Sequence, residues 1–209
     1  VGLEDDDVDL PVGYSQVDYI ESDGSGAYVD TKYVHTPSTR VECVVSVSAR
    51  QPSSWAAIFG ARRDSWRQNA FVFFSKALND ANKSCYNRTG CEQRGGAFPG
   101  DLKTKVVCEG NVATWTPEGG ASGSIEASGG TVDDGVNTMF IFNLNTAGVN
   151  GKKPDTSPIA MKLYSFKIYE GETLVRDFVP CVRDVDLAAG LYDRAATDSS
   201  KAFYGNAGG

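Results

Sequence analysis

A chain of 209 residues, 41% of them hydrophobic, is long enough to fold as one domain around its own core without a metal or a set of disulfides. Its formal net charge of −7 argues against a nucleic-acid partner, and no apolar run reaches transmembrane length, so no membrane insertion is expected. Twenty-three Gly, nine Tyr and ten Phe against two Met, with no sustained helical period, point to an all-β chain.

Residues 1–12 read as an acidic linker ending near Pro11, with Glu4, Asp5, Asp6, Asp7 and Asp9 as a solvated leader. The chain begins at Val1 rather than Met and is expected to be a piece of a longer protein. Residues 13–209 read as a single domain. Residues 14–20 alternate and form a first strand, 22–26 a turn cluster, and 27–34 a second strand broken by Pro37. From Arg40 to Ala49 the alternation is nearly perfect, with Val41, Cys43, Val45 and Val47 on one face. Strands at 55–62 and 70–75 are joined by 63–69, and 77–100 is rich in loops. Residues 103–116 form a hairpin turning at Gly110-Asn111, and the glycine-rich stretch 119–130 is a hairpin tip or a loop. A buried strand at 137–144 and a polar loop at 145–158 precede two alternating runs, Met161–Tyr169 and Thr173–Cys181, which form a long hairpin around Gly171. Both faces of the first run carry apolar side chains, as in a central strand covered on two sides. Two short strands close the chain at 190–193 and 202–205, and the only helical turn expected lies near Asp186–Ala189. About a dozen strands with turns every 8–12 residues form the pattern of a sandwich or barrel.

Cys43, Cys108 and Cys181 sit in apolar runs and read as core thiols. Cys85 and Cys91 bracket a polar loop, as a local bridge or as thiols. With no C-x-x-C and His35 as the only histidine, no zinc or other cofactor is expected. His35, beside Thr36-Pro37, reads as a surface loop residue. Asp184 and Asp186 have the alternate spacing of a glycosidase pair but precede a Leu-Ala-Ala-Gly segment, and Asp177 beside Arg176 reads as a structural ion pair. No enzymatic activity is expected. Asp23, Asp133 and Asp134 are possible calcium donors without a recognisable ligand pattern.

Gln16–Ser22, Tyr28–Thr31, Ile58–Arg62, Lys162–Tyr169, Leu174–Cys181, Gly190–Asp193 and Phe203–Asn206 occur in an order that resembles the laminin-G-like, concanavalin A-like jelly-roll modules of large exported proteins of gut bacteria and their phages. The resemblance covers most of residues 14–209. It implies a two-sheet antiparallel β sandwich, and a module of a larger extracellular or cell-surface protein, often carbohydrate-binding or adhesive and sometimes enzymatic. Its partners would be a glycan or cell-surface receptor and other domains of the same parent chain.

Sugar recognition needs aromatic faces and planar polar groups. Arg62, Arg63, Trp66 and Asn69 supply these in one connection, and Tyr86 and Arg88 add to them from the loop of Cys85 and Cys91; these six are the expected ligand-binding residues. Trp66 as a core cap flanked by solvated arginines is the competing reading. Trp55, Trp115 and the hairpin tyrosines read as structural. The expected function is a non-catalytic carbohydrate-binding or adhesion module. The alternatives are a structural or protein-interaction module of the phage receptor-binding type, or a jelly-roll glycoside hydrolase.

Overall fold

The computed structural model describes residues 10–51, 53–63, 68–76, 83–88 and 92–206. Sixteen strands run through them: β1 Tyr14–Gln16, β2 Ile20–Asp23, β3 Val29–Val34, β4 Thr39–Val47, β5 Ala56–Ala61, β6 Phe71–Lys76, β7 Cys85–Asn87, β8 Glu92–Arg94, β9 Lys103–Glu109, β10 Val112–Pro117, β11 Gly123–Glu126, β12 Thr138–Ile141, β13 Ala160–Glu170, β14 Thr173–Arg183, β15 Ala188–Asp193 and β16 Phe203–Gly205. The one helical turn among the described residues is a 3-10 turn at Ser199–Lys201, capped by the Asp198 side chain. The turn expected near Asp186–Ala189 is instead the reversal between β14 and β15, with Ala188 already in strand.

All strand pairs are antiparallel and fall into two sheets, so the protein is a β sandwich. The larger sheet has ten strands in the order β11-β10-β9-β4-β13-β14-β15-β16, with β2 added to β13 and β1 to β14. The smaller has six, in the order β3-β12-β5-β6-β7-β8. The long hairpin is paired only from Phe166 and Phe178 to its tip. Beyond that the two strands separate, and the N-terminal segment fills the gap: β2 pairs with β13 at Leu163↔Ile20 and β1 with β14 at Gln16↔Cys181. The tip works because Gly171 takes φ +57°, where a β-carbon would be strained.

The inner faces of the two sheets meet in one core. Val41, Cys43, Val45 and Val47 of β4 face inward as the alternation predicts, and Phe59, Phe71, Phe73 and Met139 face them from the smaller sheet. Phe59 and Phe166 touch edge to face across the interface, 5.5 Å between centroids. Full burial of side chains of this size stabilises the fold by roughly 1.5–3 kcal/mol each.

β13 departs from the predicted alternation. Its pairing with β4 skips a residue between Leu163 and Ser165, which makes Tyr164 the extra residue of a β-bulge. Met161 and Leu163 before the bulge, and Phe166 and Ile168 after it, therefore all point into the core. The expectation of a strand buried on two faces is thereby corrected: the apolar residues on both alternation phases serve one face.

The smaller sheet is covered on its outer face as well. Behind it Ala57, Val72, Phe74 and Cys85 pack under Leu144 and Trp55, whose ring meets Phe74 at 4.9 Å. The segment after β12 is tied there by two buried asparagines. Asn145 donates to Thr138 O (2.9 Å) and Gly151 O (3.1 Å) and accepts from the amides of Ala147 and Lys153. Asn137 donates to Arg62 O (3.0 Å) and Ala147 O (2.7 Å). A polar loop by composition is thus an ordered cover, its backbone groups satisfied by side-chain amides. Leu10, in the predicted linker, packs with Tyr14 against Val179, Cys181 and Tyr192.

Candidate functional site

Tyr164 is the starting point of the candidate site. In a regular strand the residue after inward-facing Leu163 points out and the next points in. The bulge holds both Tyr164 and Ser165 opposite Val44, on the outer face of the larger sheet. Ile20 pairs with Leu163, so Tyr19, just before β2, lies beside Tyr164. The two ring centroids are 5.7 Å apart at 60°. Lys162 Nζ sits 4.1 Å from the Tyr19 centroid and Lys103 Nζ 4.6 Å from the Tyr164 centroid. Hydrogen bonding to Tyr19 raises the pKa of the Lys162 ammonium.

The register extends this pair into a surface. Lys103 of β9, Ser46 of β4, Lys162 of β13 and Glu21 of β2 form one cross-strand row. Further along, Arg40 lies 4.1 Å from the Tyr169 ring, and Glu42 accepts from both Arg40 (3.1 Å) and Lys105 (3.2 Å). The result is half-buried rings beside ammonium and carboxylate groups on a rigid pleated face. Such a face supplies apolar contact for the C–H side of a sugar ring and donors and acceptors for its hydroxyls.

The residues expected to bind ligand have other surroundings. Arg62 is held by Asp155 at 3.0 Å beneath the loop that Asn137 and Asn145 organise. Arg63 is exposed, and Asn69, at φ +49°, donates to Asp134 O at 2.8 Å. Trp66 and Cys91 lie outside the described residues, and with them the proposed stacking ring and the Cys85–Cys91 bridge. Tyr86 is corrected from loop to core: it is fully buried between the sheets, its hydroxyl donating to Gly110 O at 2.9 Å. Burial drives its phenol pKa well up. Arg88 is also internal, 1% exposed, donating through Nη2 to Thr36 O at 2.6 Å. Neither presents a face to a ligand.

His35 is corrected as well. It is 1% exposed, edge-on to Phe71 with centroids 5.6 Å apart, and Gly135 is pressed so close that an added β-carbon would come within 2.7 Å of Nδ1. Burial, then the nearby Arg88 charge, lowers its pKa to about 3. The turn at 36–39 is held by Glu170, which accepts from the hydroxyls of Tyr33, Thr36 and Thr39. Burial raises the Glu170 carboxyl, but these hydrogen bonds outweigh it and the net shift is down.

The carboxylates considered for catalysis are engaged elsewhere. Asp184 accepts from Ser15 Oγ at 2.8 Å, and Asp186 is gripped by Arg183 at 3.0 and 2.6 Å. Asp177 is paired with Arg194 at 2.6 Å, and buried Asp193 accepts the Asp177 amide at 2.9 Å with Arg176 3.5 Å away. Asp177 is thus in a structural ion pair, but with Arg194 just past β15 rather than with Arg176, which lies by Asp193. Among the described residues no group of three or more His, Cys, Asp or Glu side chains is placed to hold a metal ion. No helix among them is long and apolar enough to cross a membrane.

No known protein family matches this chain, and no curated protein sequence does.

Proposed function

We propose that the protein is a non-catalytic carbohydrate-binding or adhesion module of a larger exported or cell-surface bacterial protein, and that it binds glycan on the outer face of its ten-stranded sheet around Tyr19 and Tyr164. A jelly-roll strand order and kinship with concanavalin A-like modules belong to the same proposal. The observation that carries it is the bulge at Tyr164, which holds a ring on the solvent face beside a second ring and two ammonium groups. Bulges of this kind re-aim side chains at binding sites. A sandwich that holds these groups in place loses little ordering entropy when a sugar docks. Single-site affinity is expected to be weak and raised by multivalency in the parent protein.

A protein-interaction role is the second reading. Val12, Val185 and Leu187 are 105%, 85% and 76% exposed, and the Asp184 amide bonds Gly13 O, which brings the first beside the other two. A glycan array separates the readings. Wild-type protein should bind a restricted set of glycans, and Tyr164→Ala and Tyr19→Ala should each weaken binding about tenfold, equivalent to roughly 1.4 kcal/mol. A blank array across mammalian, plant and bacterial glycans would leave only the interaction role.

A further inference from the structure

A second feature lies away from the tyrosine face, where the outermost strands of the two sheets, β3 and β16, pack together. A cleft of about 460 Å³ opens there, lined by Asp30, Lys32, Lys201, Phe203, Tyr204 and Gly205. Its volume falls within the roughly 300–1,000 Å³ of small-molecule sites.

β3 is bulged at this point: Asp30 pairs with Phe140, but Val34 pairs with Thr138. Lys32 occupies the bulge at φ +55°, a left-handed conformation that long side chains rarely adopt. Its amide donates to Asp30 Oδ1 at 3.0 Å, and the neighbouring Thr31 hydroxyl donates to Met139 O at 2.8 Å, which fixes the distortion. Lys32 Nζ thereby turns onto Asp30 Oδ2 at 2.7 Å, and Lys152 Nζ reaches the same oxygen at 2.7 Å from the covering loop. The Asp30 side chain is 2% exposed, whereas the two lysine side chains are about half exposed.

One buried carboxylate therefore answers two ammonium groups, and a positive charge is left over at the cleft wall of a molecule whose net charge is −7. Lys201 adds a third ammonium at the rim, 3.1 Å from Asp198. An ammonium carries three donors, and Lys32 and Lys152 each use one on Asp30, so both keep donors for another acceptor. Burial raises the Asp30 carboxyl, but hydrogen bonds from Lys152 and Lys32 outweigh it, so the group stays ionised and keeps both lysines in place. Tyr204 supplies an aromatic wall, its ring on the core side against Phe178 at 4.9 Å, whereas the Phe203 ring turns to the opposite face of the sheet, onto Tyr14. Because β16 packs on β3, neither strand offers a clear edge to an extended peptide.

We propose that this cleft binds an anionic saccharide, with a sugar carboxylate held by Lys32, Lys152 and Lys201 and the ring against Tyr204. The site is separate from the Tyr19–Tyr164 face and does not depend on it.

The test is a titration of ¹⁵N-labelled protein with an oligogalacturonate, its neutral galactose counterpart and hexaglutamate at fixed ionic strength. The acidic sugar should move the amide signals of Lys32, Tyr204 and Gly205 and bind about tenfold tighter than the neutral one. Lys152→Gln and the highly exposed Lys201→Gln should each weaken it about threefold or more, while Tyr164→Ala leaves it unchanged. No movement of these amides at roughly 10 mM acidic sugar, where a millimolar site fills, would overturn the proposal. So would equal binding of the neutral sugar. Hexaglutamate moving the same amides as strongly would show unspecific charge attraction and overturn the assignment to a saccharide.

Discussion

Arg88 lies against the face of Phe71, its Cζ 4.1 Å from the ring centroid, with its charge enclosed by the sandwich. Among the described residues only Nη2 finds hydrogen-bond partners, Thr36 O and more distantly Pro37 O, and none faces buried Nε and Nη1. A buried charge with unmet donors is a weak stabiliser compared with an apolar side chain of similar length. Arg88→Met should therefore leave the urea midpoint within the equivalent of about 1 kcal/mol of wild type, or raise it. Arg88→Ala, which also opens a void, should cost about 2–4 kcal/mol. Equal losses from the two variants would mean that the charge, not the space it fills, holds this region.

His35 predicts a pH dependence. Its folded pKa, about 3, lies below the unfolded value near 6.5, so the unfolded chain takes up the proton first. The stability it contributes is complete above pH 6.5 and is lost as pH falls toward 3, by at most about 1.4 kcal/mol per unit. Between pH 6.5 and 5, where few carboxylates titrate, wild type should lose stability faster than His35→Phe. Parallel curves from urea melts at pH 7, 6 and 5 would contradict this.

The bulge predicts an unusual tolerance. Deleting Tyr164 removes the one unpaired residue of β13 and joins Leu163 to Ser165 in regular alternation, so Met161, Leu163, Phe166 and Ile168 keep their inward positions. Near-UV circular dichroism of the deletion variant should stay native-like, while glycan binding at the tyrosine face is lost. Deleting Lys162 instead should leave the chain unfolded or molten, since it shifts the inward set without removing the bulge. A deletion of Tyr164 as damaging as that of Lys162 would refute the register.

Asn145 predicts a large loss from a small change. Its fully buried side chain makes four hydrogen bonds, two as donor and two as acceptor. Asn145→Ala leaves carbonyls and amides without partners in a site closed to water and should cost roughly 2–4 kcal/mol. Hydrogen exchange should accelerate first at Ala147 and Lys153, whose amides donate to this side chain. A melting curve unchanged from wild type would show the loop holding itself.

The strands were largely legible because period-two alternation is a local signal. β4 and the β9–β10 hairpin follow it residue by residue, and Val41 to Val47 enter the core as their spacing predicts. Tyr164 was not legible, because one inserted residue reverses the phase without changing composition. A tyrosine flanked by Lys162 and Ser165 was the available hint of an outward ring. His35, Tyr86 and Arg88 looked like loop residues because their near neighbours are Pro, Asn and Thr. Their burial comes from Phe71 on β6 and from Gly135, far away in sequence. Asn137 reads as the start of a strand and Asn145 as polar loop, and the role of neither shows in the sequence for the same reason: their partners are backbone groups that only the fold brings near. The Asp30 cleft needs β3, β16 and Lys152 together, three segments far apart in the chain.

The six-stranded layer is sealed behind by Leu144, Trp55 and the asparagine-tied loop, whereas the ten-stranded layer is dressed only at its β14–β16 end, under Leu10 and Tyr14. Around Tyr19 and Tyr164 its pleated surface stays open. Neighbours could crowd against the sealed side, in an array or on a crowded envelope, while the tyrosine-bearing side stayed turned toward whatever it meets.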